Sequence, residues 1–532
     1  MNLKALRDRL RGRTATHETA PRPASTPHDA EALTREAERL AELGRVEEAA
    51  DSFVVALAHD PSISAAWIGY GKLMRAAGRL DTAIDHLRQG AALAPGSSTA
   101  WVELAFALNQ AGRTSEAAAA YEKAIAAEPD DPAAYVNLGL LALTQLADPS
   151  RAEMLFRRAI AFAPGRVEAQ VNLGLALHEQ GRSEEALTHY DRLLQAQPRH
   201  VEYRWHRASV QLATGDFERG WDGYEARKER EGRWRAPPPF AEWDGTPFDA
   251  GSLLVYAEQG LGDEIMFASC VPDVVDAVGP CVLECDQRVA ELFRRSFPSA
   301  VIHGVERSEA DLSWLSRYPD IRAQCAIGSL PRHFRRSRAA FGDGAPYLVQ
   351  DPARVARWRA LLGPDDGRLR VGIAWRGGTY KTRRELRSTT LEDWAPVIGS
   401  REGRFFALQR ATGEELETAP LGIGESLQEL PAVYDDTDEL AAAIAALDLV
   451  ITVQGTVAHL AGALGRPVWV ALNRTPEWRY LSAGDALPWY GSARLFRQSM
   501  PRSWTSVFEA LAAALPDQRA RTHAKSRGGA SC

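Results

Sequence analysis

The chain holds 532 residues, with 63 Lys and Arg against 70 Asp and Glu for a net charge of −7. Its 45% hydrophobic and 25% charged residues are those of a globular protein, and the acidic balance argues against a general nucleic-acid binder. No apolar run reaches the length of a membrane-spanning helix. The basic start "MNLKALRDRLRGR" lacks the apolar stretch of a secretory signal, so residues 1–29 are expected to be a disordered leader.

Prolines at 61, 95, 129, 164 and 198 then recur every 34 or 35 residues. Glycines at 44, 78, 112, 181 and 215 keep the same period with one slot skipped, and alanines at 49, 83, 117, 152 and 186 form a third register. Small residues where two helices cross, with Pro closing each unit, are the signature of tetratricopeptide (TPR) repeats. Residues 30–228 therefore predict a solenoid of about six helix pairs, whose concave surface suits a polypeptide. Asn137 and Asn172 take the same position in successive units, on the groove-lining helix, where an amide can bond a peptide backbone. The last unit puts Gly220 at the crossing position and adds Trp221, as expected of a repeat that must cap the array. The Pro- and aromatic-rich stretch 229–250 reads as a linker.

After residue 250 the pattern changes to strand–helix alternation: "SLLVY", "CVLEC", "RLRVGIAW", "RFFALQ", "LDLVITV" and "RPVWVAL" are short apolar runs between helical segments. Such alternation implies parallel α/β sheets in two lobes, 251–350 and 351–516, with ligands at the carboxyl ends of the strands. Residues 517–532 read as a frayed, disordered tail. Five cysteines without a CxxC pair or a metal-spaced His cluster point to core thiols, no metal site and a cytoplasmic setting.

Three loops carry candidate chemistry. In Glu258-Gln259-Gly260-Leu261-Gly262-Asp263 a turn between strand and helix can present N–H groups to an anion, while Ile265 replaces the third glycine of a dinucleotide fingerprint. Asp263 or Glu258 is placed to take a proton from an acceptor hydroxyl. In Gln454-Gly455-Thr456, Thr456 is the expected N-cap and His459 follows in the first helical turn, positioned to bond a phosphate or sugar. In "AWRGGTYKTRRELRS", Trp375, Gly377, Gly378 and Lys381 suit a phosphate-wrapping loop, with Arg383, Arg384 or Arg387 as alternatives to Lys381 and Gln409 nearby. Asp436-Thr437-Asp438 reads as a helix cap rather than a metal site.

The stretches "AEQGLGDEIMFA", "VGIAWRGG", "LDLVITVQGTVAHLAGALGRPVWVAL", "TPEWRY" and "PWYGSARLFRQ" resemble the C-terminal half of bacterial TPR-containing glycosyltransferases. These are similar to lipopolysaccharide heptosyltransferases and, more distantly, to O-GlcNAc protein transferases, whose asparagine ladder the pair Asn137 and Asn172 resembles in part. The resemblance implies a GT-B fold with two Rossmann-like lobes and metal-independent, inverting transfer from a nucleotide sugar, with no cofactor. By position it implies Asp263 as base, Lys381 as phosphate ligand and His459 in the donor loop. Gln259, Gly260, Gly262, Trp375, Gln409, Gln454, Gly455 and Thr456 complete the expected donor site.

Many relatives have V-D-T where this chain has Val453-Gln454-Gly455, and a neutral Gln tolerates an acidic sugar better than Asp does. Relatives that modify flagellin with CMP-activated nonulosonic acids such as pseudaminic acid make flagellin, held in the TPR groove, the expected acceptor. Two other readings remain open from sequence: a TPR adaptor with an inactive transferase-like region, and a transferase acting on glycolipid or polysaccharide.

Overall fold

The computed structural model describes residues 27–230, 237–306, 311–378, 384–417, 420 and 422–528. By internal packing the chain divides into two units, Met1–Gln180 and Gly181–Cys532. The first is helical: α1 (Pro27–Glu42), α2 (Val46–His59), α3 (Ser64–Ala76), α4 (Leu80–Leu93), α5 (Ser98–Gln110), α6 (Thr114–Ala127), α7 (Pro132–Thr144), α8 (Pro149–Phe162) and α9 (Val167–Glu179). The second opens with three further helices, α10 (Ser183–Ala196), α11 (Val201–Thr214) and α12 (Phe217–Tyr224).

The repeating residues do repeating physical work. Ala49, Ala83, Ala117, Ala152 and Ala186 are fully buried, because close helix crossings leave no room for a longer side chain. Gly139 is tighter still, since a Cβ there would stand 2.6 Å from the Phe156 ring. The residue six positions after each of four prolines ties down its carbonyl. Trp67 Nε1 donates to Pro61 O at 2.8 Å, Trp101 Nε1 to Pro95 O at 3.0 Å, and Tyr135 Oη and Gln170 Nε2 to Pro129 and Pro164 at 2.9 Å. Gly44, Gly78, Gly112, Gly181 and Gly215 all take positive φ, from +74° to +85°, at the turn inside each pair. The skipped slot of that register is filled by Ala147, which is held at φ +51°.

The remainder of the second unit contains two sheets. The first has order β1-β5-β2-β3-β4, from β1 (Ala241–Glu242), β2 (Ser252–Tyr256), β3 (Cys281–Asp286), β4 (Ala300–Val305) and β5 (Ile321–Ala326), all parallel. The second has order β11-β12-β10-β9-β6-β7-β8, from β6 (Leu369–Ala374), β7 (Gly403–Ala407), β8 (Leu427–Glu429), β9 (Leu449–Val453), β10 (Val468–Leu472), β11 (Ala486–Leu487) and β12 (Tyr490–Arg497). Its neighbours are parallel except β11 and β12. The helices around them are α13 (Leu261–Phe267), α14 (Val271–Val278), α15 (Ala290–Ser296), α16 (Leu330–Phe334), α17 (Pro352–Leu361), α18 (Thr437–Ala446), α19 (Thr456–Ala463) and α20 (Thr505–Gly528), with shorter turns between. Strands β2, β3, β9 and β10 are buried along their whole length, as expected when both faces of a parallel sheet are covered.

Three expected boundaries shift. The linker 229–250 includes β1, which adds an edge strand by pairing Ala241 with Ala323. The tail from 517 continues α20 to Gly528, because Phe508, Leu511 and Leu515 are buried and Arg519 pairs with Glu402 at 3.0 Å. The leader's last residues belong to α1, and the rest of it lies outside the described residues.

The last repeat is atypical for a different reason from end-capping. Trp221 is fully buried, with Trp478, Trp489 and Phe267 rings at 5.4, 6.2 and 6.4 Å, and its Nε1 donates to Arg335 O at 2.8 Å. Tyr224 lies 5.2 Å from Trp478, and Ser482 N donates to Ala213 O at 2.7 Å. Helices α11 and α12 thus pack on elements of both sheets, and Gly220 leaves the Leu212 side chain room to lie across α12.

Two outcomes follow from this packing. Ala147→Gly should raise full-chain stability in urea denaturation by up to about 1 kcal/mol, because only glycine takes a left-handed backbone without a steric penalty. Gly112→Ala should lower it comparably. A chain starting at Gly181 should unfold cooperatively by circular dichroism, whereas one starting near residue 240 should not, since it strips Trp221 and Tyr224 from the core of the second unit.

Candidate functional site

The strand order reverses between β2 and β5 in one sheet and between β6 and β9 in the other, the places where open α/β sheets bind ligands. The loops leaving β2 and β9 meet there. A Cβ on Gly262, at the start of α13, would lie 3.3 Å from the His459 ring and 3.4 Å from Thr456 Oγ1, at the start of α19. Gly260 caps α13 and Gly455 caps α19, so Thr456 is the first helical residue and not the expected cap. Gly377, on the loop after β6, packs on the Gln454 backbone so closely that any Cβ would collide with it.

The two expected carboxylates are both held by buried arginines. Asp263 Oδ1 lies 2.6 Å from Arg479 Nε and 2.5 Å from its Nη2, a bond between the first sheet's loop and the segment after β10. Arg479 also reaches Glu477 Oε2 at 2.9 Å, and the other oxygen of Glu477 lies 3.0 Å from Arg387 Nη1. Burial opposes the charge on Arg479, but Asp263 and Glu477 outweigh it and hold its pKa above the usual range. Glu258 accepts from Arg227 Nε at 3.0 Å and Nη2 at 2.9 Å, and Arg227 also bonds Ser329 Oγ at 2.8 Å and Glu225 at 2.7 Å. Burial works against the charge on Glu225, yet Arg227 and Lys228 hold its carboxyl at about 2. Gln259 accepts from Tyr224 Oη at 2.9 Å. The end of the solenoid therefore sets the β2 loop.

His459 differs from expectation. A first-turn histidine was expected to face a ligand, but it is 4% exposed, with Nδ1 3.1 Å from Tyr490 Oη and Nε2 3.3 Å from Tyr480 Oη. Burial pushes its pKa down to about 4, with Asp263 partly offsetting this and Arg479 adding to it. It is a neutral ring at neutral pH and brings no charge to a phosphate. Gln454 is also buried: it donates to Asn473 Oδ1 and accepts from Glu477 N at 3.1 Å, fixing the 473–477 loop. Trp375 lies in the core under the second sheet, with Nε1 3.1 Å from Glu415, rather than against a ligand. Gln409 Oε1 takes Trp375 N at 3.0 Å and Arg376 N at 2.9 Å, fixing the exit of β6.

Lys381 lies outside the described residues. Asn137 and Asn172 are half-buried on α7 and α9, the first helices of successive pairs, in the first unit. Asp436 caps α18 by accepting from Asp438 N at 2.8 Å and Glu439 N at 3.0 Å, as the capping reading expects. Cys270, Cys281, Cys285 and Cys325 are buried thiols, and burial pushes Cys270 up to about 12. Among the described residues no His, Cys, Asp and Glu group could hold a metal, and no helix is long and apolar enough to cross a membrane. Sequence reasoning missed Arg227, Glu477, Arg479, Tyr480 and Tyr490. The pairing of Arg479 with Trp478 and Tyr480 in "PEWRY" was the available signal.

The chain thus carries tetratricopeptide repeats followed by a C-terminal region of parallel α/β sheets. The tetratricopeptide repeat family matches residues 74–142, and a second description of the same repeat matches 34–98, 145–198 and 171–222. The chain is 31% identical over 325 residues to Protein FlbA of Caulobacter vibrioides, a match covering 58% of this chain and 54% of FlbA. It thus spans about half the length of that relative, and a match so long must extend past the solenoid into the α/β region. Among solved structures it is similar to a tetratricopeptide repeat protein from Parabacteroides merdae (20% identity, 39% of this chain and 82% of that one, TM-score 0.35). A MamA protein is also similar (22% identity, 32% and 92%, TM-score 0.30).

A neutral buried histidine makes stability depend on pH. The His459 pKa is depressed on folding, so its contribution is complete above about 6.5 and is lost as pH falls towards about 4. Melting temperature should therefore drop across that window, and His459→Gln should flatten the drop while lowering stability at pH 7 by roughly 1–3 kcal/mol.

Proposed function

We propose that the chain is a protein O-glycosyltransferase of the GT-B type, whose two Rossmann-like lobes are built on the two parallel sheets. The observation that carries this reading is the meeting of Asp263, on the first loop of one sheet, with the α19 start and Arg479 from the other. A nucleotide sugar in that cleft would have its anomeric carbon near Asp263. The acceptor hydroxyl attacks that carbon, Asp263 takes the proton, and the sugar–phosphate bond breaks with its electron pair passing to the nucleotide phosphate. Inversion follows from single displacement. Cations and N–H donors placed where that charge develops lower the barrier more than they tighten ground-state binding, a role for Lys381 and the N–H groups at the start of α19. The reading calls for no cofactor.

The TPR groove, with Asn137 and Asn172 as backbone contacts, is the acceptor site, and flagellin in the cytoplasm is our choice of acceptor. A CMP-nonulosonate such as CMP-pseudaminic acid is our choice of donor, on the ground of the resemblance to flagellin-modifying transferases and not of Gln454, whose amide is spent on Asn473 and Glu477. One observation favours a second reading, a TPR adaptor without catalysis: both candidate carboxylates are engaged by buried arginines.

Asp263→Asn should bind donor at least as tightly as wild type and lower transfer to flagellin by about 10²–10³, measured by intact-mass spectrometry of flagellin incubated with enzyme and CMP-pseudaminic acid. Wild-type protein that transfers no sugar to flagellin in that assay, from this donor or from UDP-activated sugars, would favour the adaptor.

A further inference from the structure

The Glu477 carboxylate sits between two guanidiniums brought from separate parts of the second lobe. One oxygen lies 3.0 Å from Arg387 Nη1 and the other 2.9 Å from Arg479 Nη1. Arg387 is 7% exposed and its Nε has no hydrogen-bond partner among the described residues. Arg479 is largely covered, with 14% of its side chain exposed, whereas Glu477 keeps 31% of its side chain accessible. Asp263 takes the other side of Arg479. The order is thus Asp263, Arg479, Glu477, Arg387, alternating in sign and summing to zero. The segment carrying Glu477 and Arg479 is fixed at its base, because Gln454 accepts from Glu477 N.

A buried guanidinium cannot shed its proton, and its full complement of donors is satisfied only by oxyanions. Arg479 spends its donors on two carboxylates, whereas Arg387 shares one of them and keeps an Nε without an acceptor, so it is Arg387 that is short of acceptor oxygens. A phosphoryl group meets a guanidinium in the same bidentate manner as a carboxylate, and a diphosphate or terminal phosphate brings more oxygens and more charge than one carboxylate. We propose that Glu477 is a placeholder anion. The phosphoryl group of a ligand takes its place between Arg387 and Arg479, Glu477 turns out to solvent, and Arg479 loosens its hold on Asp263. The exchange would couple ligand arrival to release of the carboxylate, so that Asp263 is free as a base only when a phosphoryl group is bound. No covalent bond changes in this step. The inference rests on the reading of this cleft as the donor site, and it selects Arg387 among the basic residues of the loop after β6 and adds Arg479 as a second phosphate ligand.

The test is calorimetric titration of the full chain with inorganic pyrophosphate, which asks nothing of sugar or acceptor. Glu477→Gln removes the competing charge with little change of shape and should bind pyrophosphate about tenfold or more tighter than wild type. Asp263→Asn, which frees Arg479 from its other side, should also tighten binding, and Arg387→Gln should weaken it about tenfold or more. Thermal melts supply a second readout: Glu477→Gln should melt lower than wild type without ligand, and pyrophosphate should raise its melting temperature more than it raises that of wild type. Unchanged affinity in Glu477→Gln, or weaker binding in Asp263→Asn, overturns the placeholder. Pyrophosphate binding in the expected order without any sugar transfer leaves the placeholder standing and removes the enzymatic reading, so the two fail separately.

Discussion

The ion pair between Asp263 and Arg479 is the contact on which the candidate site depends. It joins the loop after β2 in one sheet to the segment after β10 in the other, at 2.5–2.6 Å and largely out of water. Burying either charge alone costs several kcal/mol, so the pair forms only where both partners are delivered together. Everything that delivers them is packed around it. The Gly262 position lets α13 approach α19, Tyr480 and Tyr490 hold His459 beneath, and Gln454 fixes the loop from which Glu477 and Arg479 extend. His459, neutral and walled by two phenols, acts as a spacer with defined geometry rather than as a charge.

The solenoid enters the same arrangement through its last turn. Arg227 is fixed by Glu225 and Ser329 and holds Glu258, while Tyr224 bonds Gln259 and packs against Trp478, the neighbour of Arg479. An element that began as a repeat helix therefore bears on both loops of the cleft. A buried arginine whose carboxylate partner is removed is strongly destabilising, which ties α12 and the β2 loop into one cooperative structure. The division of the chain after Gln180 places this end of the array with the α/β sheets.

Much of the fold was legible because it is periodic. The proline, glycine and alanine registers set the helix pairs, and even the missing glycine was informative, since Ala147 occupies its left-handed turn. Alternating apolar runs located β2, β3, β6, β7, β9 and β10 closely, because fully buried parallel strands read as continuous hydrophobic stretches. The site was legible by loop but not by role. Sequence places Asp263, Gln454 and His459 at strand ends, but it cannot tell a side chain that faces a ligand from one consumed by its own neighbours. Trp375, His459 and Gln454 are buried by partners 14 to 40 residues away or supplied by other loops. Arg227 and Arg479 were invisible for the same reason, since their partners lie 31 and 216 residues distant.

The charge pattern of the cleft also explains why arginines rather than lysines line it. A lysine buried to this extent lowers its pKa and sheds its proton, whereas a guanidinium stays charged and offers several donors in a fixed plane. The two arginines and two carboxylates sum to no net charge, so they are held together out of water with a smaller electrostatic penalty than any one of them alone. Adding an oxyanion upsets that balance unless a carboxylate leaves or accepts a proton. Glu477, with 31% of its side chain accessible against 17% for Asp263, is the more open to water, and Asp263 is the one that the proposed reaction would use once released. The same four charges thus stabilise the cleft and, on the proposed exchange, specify which of its carboxylates an arriving anion displaces.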